Sequence, residues 1–354
     1  MKKYYKTIIT DLPKILCALS ILVIIIIQPE TATKGIKNGI SLLLTIIIPS
    51  LFPFLVLSSF IASSKSFYNL SSIMSPFTTK IFKINKNGFI PILMGLTGGY
   101  PIGAKVTADL YKSNRLTQNE AERLMLFAVN SGPAFALTAV GTNMLGNALS
   151  GVILYVSTIL TSLTIGFFCR FLSDKKQLET NNIISTSTNE NVFINSVASG
   201  ANAIINISSW VLTFSCLSEI LFSFNLGEKT TLFLNAIMEV SNGCKVCSST
   251  VSLPVISAIL GFGSFSVICQ VSPYLKACNV KIKHFLVSRI LNASLSAFFT
   301  FYLLKLFPEA VTTHVVFHVN NHQLNLSYTI SSSIILLVMC LIFILQVDNR
   351  KEIC

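Results

Sequence analysis

The stretch Gly95-Leu-Thr-Gly-Gly-Tyr-Pro-Ile-Gly-Ala-Lys105 decides how the chain is read. It sets four glycines, a proline and a lysine inside a sequence that otherwise looks like membrane. Proline cannot donate to the helix ladder and glycine weakens it, so a spanning helix carries such a cluster only where other protein groups bond the freed backbone. The stretch therefore reads as a break in a helix at hydrocarbon depth.

The surrounding composition supports a membrane setting. Of 354 residues, 52% are hydrophobic and only 11% charged, with a mean hydropathy of +0.70. Soluble domains carry about 25% charged residues, so the chain reads as an integral membrane protein. Its net charge of +12 comes from lysines between apolar runs, and no basic stripe interleaved with aromatics suggests nucleic acid as a partner. Nine cysteines are scattered, and the one tight pair, Cys244 and Cys247, has no further zinc ligands nearby. They read as small packing residues, and no cofactor is expected. Lys2, Lys3 and Lys6 precede an apolar run that ends at Gln28-Pro29-Glu30 without a small-x-small cleavage site, so a retained first helix is expected.

A span needs about 20 mainly apolar residues. Eight segments qualify: 13–28, 39–62, 124–142, 147–169, 195–222, 251–272, 285–306 and 328–346. Segments 88–111 and 231–250 are apolar but interrupted by Gly, Pro or polar residues. With a cytoplasmic N-terminus, the basic loops 80–86, 112–123, 170–176 and 276–284 share the cytoplasmic side with the tail at Arg350 and Lys351. Segments 29–38, 143–146, 223–230 and 307–327 then lie outside. That asymmetry requires both interrupted segments to enter and leave on one side, as re-entrant hairpins.

The same order reveals a repeat. Span, hairpin, span, span occupies 39–172, and the order recurs over 191–306, after a linker at 173–190 rich in Asn, Ser and Thr. Residues 1–38 hold the first helix and an outer loop, and 307–354 hold an outer loop and the last helix. The two units begin on opposite sides, so the predicted fold is an all-α polytopic protein with about eight transmembrane helices and two re-entrant hairpins in an inverted repeat. Transporters with this architecture bind cargo where the broken helices meet. Met94-Gly-Leu-Thr-Gly-Gly99 is echoed by Met238-Glu-Val-Ser-Asn-Gly243, and Ser131-Gly-Pro-Ala-Phe135 by Gly263-Ser-Phe265. Thr117 to Glu120 reads as a capping box that starts a helix.

Ionisable residues at membrane depth mark function or an interface. They are Lys105, Asp109, Glu219, Glu239 and Lys245. Lys105 and Lys245 each follow a glycine-containing tip, where open N–H groups and a helix N-terminus favour an anion. Two lysines suit a cargo with two carboxylates; the alternative is that both snorkel to the interface. Glu239 either binds a coupling proton or cation, or bonds its own hairpin. Asp109 suits an ion pair with Lys105 and Glu219 an interfacial position. The candidate binding set is Gly98, Gly99, Tyr100, Lys105, Asn130, Ser131, Ser241, Asn242, Gly243 and Lys245. Asn130-Ser131-Gly132-Pro133 is either a second break lining the cavity or a proline kink, and Pro49 and Pro53 suggest a kink. His314, His318 and His322 lie in a segment whose Val315-Val316-Phe317 argues against the helix a metal site needs. No nucleophile–base pair or phosphate loop suggests an enzyme.

Pro49-Ser-Leu-Phe-Pro-Phe54, Gly99-Tyr-Pro-Ile-Gly-Ala-Lys105, Asn130-Ser-Gly-Pro133 and Glu239-Val-Ser-Asn-Gly243 resemble the YlbJ family of sporulation integral membrane proteins. The resemblance spans roughly 39–306 and extends, distantly, to nucleoside-recognition (Gate) domains and concentrative nucleoside transporters. It implies a mother-cell transporter that moves dipicolinic acid, an aromatic dianion, across the outer forespore membrane. A nucleoside carrier and a non-transporting scaffold for spore-envelope assembly stand as alternatives.

Overall fold

The computed structural model describes residues 12, 15–16, 19–63, 73–173, 192–224 and 227–308. The chain divides between Val315 and Val316 into two units, and every described residue lies in the first. The expected span 328–346, the three histidines at 314, 318 and 322, and all of the 173–190 linker but Ser173 lie outside the described residues.

Among the described residues every regular element is helical. Helix α1 (Pro29–Leu42) runs through a wide π turn (Leu43–Ile47) into α2 (Ile48–Ser63). This corrects the outer loop expected at 29–38. Pro29 at the first helical position and Glu30 in the first turn are helix-start residues, which a search for apolar runs passes over. Lys34 Nζ lies 2.5 Å from Glu219 Oε1, so the carboxylate at the far end of its own helix is ion-paired. The π turn sits one turn ahead of Pro49, which has no N–H for the ladder, and Ser50 Oγ donates to the Ile46 carbonyl.

The first interrupted segment is a pair of helices, α3 (Phe89–Thr97) and α4 (Tyr100–Lys112), packed on each other across Gly98-Gly99. Next come α5 (Gln118–Phe127), a break at 128–133 that is non-helical as far as Gly132, and a π-wound segment Ala134–Met144. The 124–142 span is therefore broken rather than continuous. The capping box forms as read, and Glu120 also takes the backbone N–H of Asn85 at 2.7 Å, pinning the preceding loop to α5. Helix α6 (Ala148–Cys169) completes this half.

The second half repeats the order. Helix α7 (Val192–Phe222) precedes a pair α8 (Glu228–Met238) and α9 (Val240–Cys247), packed across Glu239. Then α10 (Leu253–Phe262) breaks at Gly263 and continues as α11 (Ser264–Ala277), and α12 (Ile282–Leu306) follows. Packing between the halves is reciprocal: α1 and α2 lie against α7, α6 against α12, α4 against α11, and α9 against the π-wound segment. The Thr300 hydroxyl of α12 bridges Ser157 of α6, 2.8 Å away, and Ser257 of α10, 2.7 Å away, the small-polar contact that helices use inside a bilayer.

Among the described residues, five helical stretches are long and apolar enough to cross a membrane: Pro29–Leu57, Ala148–Leu172, Val192–Phe222, Leu253–Ala277 and Ile282–Leu306. Many of their outward side chains are large and apolar, as with Ile205, Ile290 and Phe298. This is a multi-pass helical membrane protein.

Two glycines hold the first hairpin to the broken span. The Ala128 carbonyl oxygen fills the space that a Cβ at Gly95 or Gly103 would need, and a Cβ at Gly103 would also lie 2.7 Å from the Gly95 Cα. Gly103→Ala must push backbone apart, costing about 3 kcal/mol. Gly146→Ala meets nothing within 4 Å and carries only its positive φ, costing about 1–2 kcal/mol. Thermal denaturation in detergent should rank Gly103→Ala well below Gly146→Ala; equal losses would contradict this packing.

Candidate functional site

Four interruptions of helix converge near the middle of the protein. Glycine makes the first possible, since Gly99 has φ +88°, a conformation side chains resist. A Cβ at Gly132 would lie 3.0 Å from the Gly99 nitrogen, so this tip abuts the 128–133 break. The third interruption is Glu239, extended at φ −145° and ψ 125°. The fourth is Gly263, at φ +80°.

Between them lies a cavity of about 40 Å³. The first tip contributes Gly98, Gly99, Tyr100 and Pro101; Gly132 and Phe135 come from the broken span. The second tip contributes Glu239, Val240 and Ser241, with Gln270 from α11. Ile207 and Val211 of α7, with Ile47 and Leu51 from the π-turn region, close the apolar wall. About 10–15 Å³ suffices for one water, whereas ligand pockets run to about 300 Å³ and more. The space holds a few waters or a small ion.

Glu239 is the one charged residue among the described residues lining this cavity. It is 1% exposed and caps α9, its Oε2 accepting from the Asn242 N–H at 2.7 Å. The hydroxyls of Ser241 and Ser266 also lie within bonding reach of the carboxylate. The helix N-terminus favours negative charge there.

The carbonyls freed at the breaks are bonded by side chains from distant elements. Arg289 of α12 is 1% exposed and donates through Nη1 to Val129 and through Nη2 to Leu126, the latter at 2.9 Å. Ser162 of α6 and Asn130 each donate to the Phe127 carbonyl at 2.7 Å. Tyr155 of α6 donates to Leu96 at the first tip, 3.2 Å away. Tyr100 donates across the halves to the Leu260 carbonyl, which the break at Gly263 leaves open.

The structure thus brings together Gly98, Gly99, Tyr100, Ser241 and Glu239. Asn130 and Ser131 are buried behind the cavity, Ser131 lying 3.4 Å from Thr158. Asn242 bonds Ser215 of α7 at 2.8 Å, and Gly243 is where the arms of the second hairpin touch, since a Cβ there would lie 2.8 Å from the Ala236 Cα. Cys244 and Cys247 are buried and free, as packing residues would be.

The two lysines are not brought to the cavity. Lys105 is half-buried with Nζ 2.6 Å from Ser199 Oγ on α7, and Lys245 is exposed. Each stands five residues beyond the first residue of its helix, Tyr100 or Val240. On an α-helix that is about 7.5 Å along the axis and about 140° around it, which carries the amine away from the tip. The freed carbonyls of Leu126, Phe127 and Val129 are likewise occupied by protein donors rather than turned to the cavity. Sequence reasoning passed over Arg289, Tyr155 and Ser162. Arg289 was visible as an ionisable residue within the 285–306 span.

Comparison with known proteins bears on this site. A family model described as Gate, nucleoside recognition, matches residues 44–148, which include the first hairpin and the 128–133 break. The chain is 26% identical to the sporulation integral membrane protein YlbJ of Bacillus subtilis (strain 168), over 79% of each chain. Both matches support the family that the motifs resembled. No solved structure matches the chain.

Arg289→Met takes the side-chain donor from the Val129 carbonyl and leaves Leu126 only the longer bond from Asn292, at 3.4 Å, and should lower unfolding stability by about 2–5 kcal/mol. Arg289→Lys should fall between, because one ammonium cannot reproduce the two-pronged guanidinium. Thermal denaturation of the purified variants checks the order, and an Arg289→Met protein as stable as the unsubstituted one would contradict it.

Proposed function

We propose that the protein is an alternating-access carrier whose two hairpins form an inverted repeat entering from opposite membrane faces. Its cargo is a small organic anion, and the family resemblance makes dipicolinic acid, moved across the outer forespore membrane during sporulation, the first choice. The convergence of both hairpin tips and both broken spans on one cavity carries this reading. Broken helices that meet at mid-membrane are where such carriers hold cargo. At about 40 Å³ the cavity is too small for an aromatic dicarboxylate, so the tips part to load it.

Tyr100, Phe135 and Pro101 offer flat and apolar surface to an aromatic ring, while Gly99 and Ser241 offer backbone and hydroxyl donors. Glu239 would repel an anion unless its charge were neutralised. It is therefore assigned the coupling proton or small cation, which enters with the anion.

A nucleoside is the second reading, favoured by Glu239, Ser241 and Gln270 in the cavity wall. A carboxylate, a hydroxyl and an amide suit sugar hydroxyls, and no cation is needed.

Purified protein in proteoliposomes should take up labelled dipicolinate only with an inward proton or sodium gradient. Glu239→Gln should abolish the response to that gradient, by about tenfold or more in initial rate, while retaining exchange of dipicolinate at equilibrium. Uptake of uridine in preference to dipicolinate selects the second reading. Uptake equal to empty liposomes for both compounds, under every gradient, refutes the carrier.

A further inference from the structure

Helix α7 carries Asn195, Ser199, Asn202, Asn206, Ser209 and Thr213, spaced alternately four and three residues apart. That spacing keeps all six on one side of the helix. The stripe runs for 18 residues between Asn195 and Thr213, about 27 Å of helix, which nearly matches the hydrocarbon thickness. It does not face the protein core. The buried side of α7 is the Ser196, Gly200, Ile204, Ile207 and Val211 row, while Asn195, Asn202, Ser209 and Thr213 are exposed and Ser199 and Asn206 half-buried.

Three asparagines along a spanning helix are poorly placed against lipid, where no water meets their amides. Apolar neighbours such as Ile194 and Ile205, 60% and 63% exposed, supply a lipid-facing side of their own. The stripe also has a cation on it. Lys105 Nζ reaches across from α4 to Ser199 Oγ, and among the described residues Lys105 makes no ion pair. Lys105 lies seven residues from the end of α4 at Lys112, and Ser199 seven from the start of α7 at Val192, so both sit about 10 Å below the same face. Asp109, one turn further along α4, acts on Lys105 through space without pairing with it, so in a dry helix–helix seam the ammonium would lose its hydration with no bonded anion to replace it.

Helices α4 and α7 both reach the central cavity. Tyr100 and Pro101 of α4, and Ile207 and Val211 of α7, belong to the cavity wall, and Asn206 adjoins Ile207. We propose that the polar stripe of α7 lines a water-filled crevice on the cytoplasmic side, and that the Lys105–Ser199 contact is its gate and first docking point for an anionic cargo. The gate rests on the carrier reading; the water-filled crevice does not. Lys105 thereby acts as a positioning residue outside the cavity, which fits its distance from the tip.

Single cysteines replace Asn195, Ser199, Asn202 and Asn206, with Ile205→Cys as the lipid-facing control, in the full chain in inside-out vesicles. Membrane-impermeant anionic and cationic thiosulfonates are applied, and the unsubstituted protein gives the background of native cysteines. The four stripe cysteines should react at least about tenfold faster than Ile205→Cys. At Asn202→Cys, adding Lys105→Gln should slow the anionic reagent by about tenfold relative to the cationic one, the loss of local steering by one positive charge. Stripe cysteines that react no faster than Ile205→Cys overturn the crevice. So does oxidative cross-linking of the stripe between two chains without labelling, since that makes it a dry interface. An unchanged ratio of anionic to cationic rates on Lys105→Gln overturns the gate. If labelling follows the expected pattern but proteoliposomes carry no anion, the carrier reading falls and the crevice stands.

Discussion

A helix opened inside a bilayer exposes carbonyl groups that no water can reach, and each one left bare costs a few kcal/mol. The 128–133 break meets this constraint with Arg289, whose two terminal nitrogens hold the carbonyls of Leu126 and Val129. Ser162 and Asn130 take Phe127, and the oxygen of Ala128 lies in the space left by Gly95 and Gly103. The break is therefore a defined backbone shape held from three directions, by α6, by α12 and by the first hairpin. Because Arg289 belongs to the second half and the break to the first, the halves are joined at their most polar point. Tyr100 returns the connection by bonding Leu260 at the break of the second half.

With the breaks held in this way, the polar groups left on the cavity wall are the ones that the proposed function turns to cargo. Glu239 is the clearest case: it caps α9, yet no cationic side chain lines the cavity beside it. An acid so placed suits the binding of a proton or small cation in step with an organic solute. The lysines that suggested an anion site from the sequence stand elsewhere, Lys105 against Ser199 of α7 and Lys245 on the exposed side of α9.

Much of this organisation was legible beforehand, because periodicity and hydrophobic length are local properties. The interrupted segments at 88–111 and 231–250, the capping box at Thr117 and the break at Asn130–Pro133 all announce themselves through residues within a few positions of each other. Helix α1 was misjudged because Glu30, Lys34, Lys37 and Asn38 hid a helix that starts with an ordinary proline. The direction of Lys105 and Lys245 depended on the phase of a helix whose first residue had to be known to within one position. The partners of the freed carbonyls were least accessible, since Arg289 stands 160 residues from Val129 and only the packing of α12 brings them together.

The central claim is that one cavity, built by both hairpin tips, is the cargo site. Equilibrium dialysis of purified protein against labelled dipicolinate and labelled uridine tests it most directly. A single cargo site between the tips predicts saturable binding of one compound at one molecule per chain, lost when Tyr100→Ala removes the first tip's side chain or Gly132→Leu fills the space beside it. Binding of either compound that survives both substitutions in folded protein would place the site elsewhere and contradict the claim.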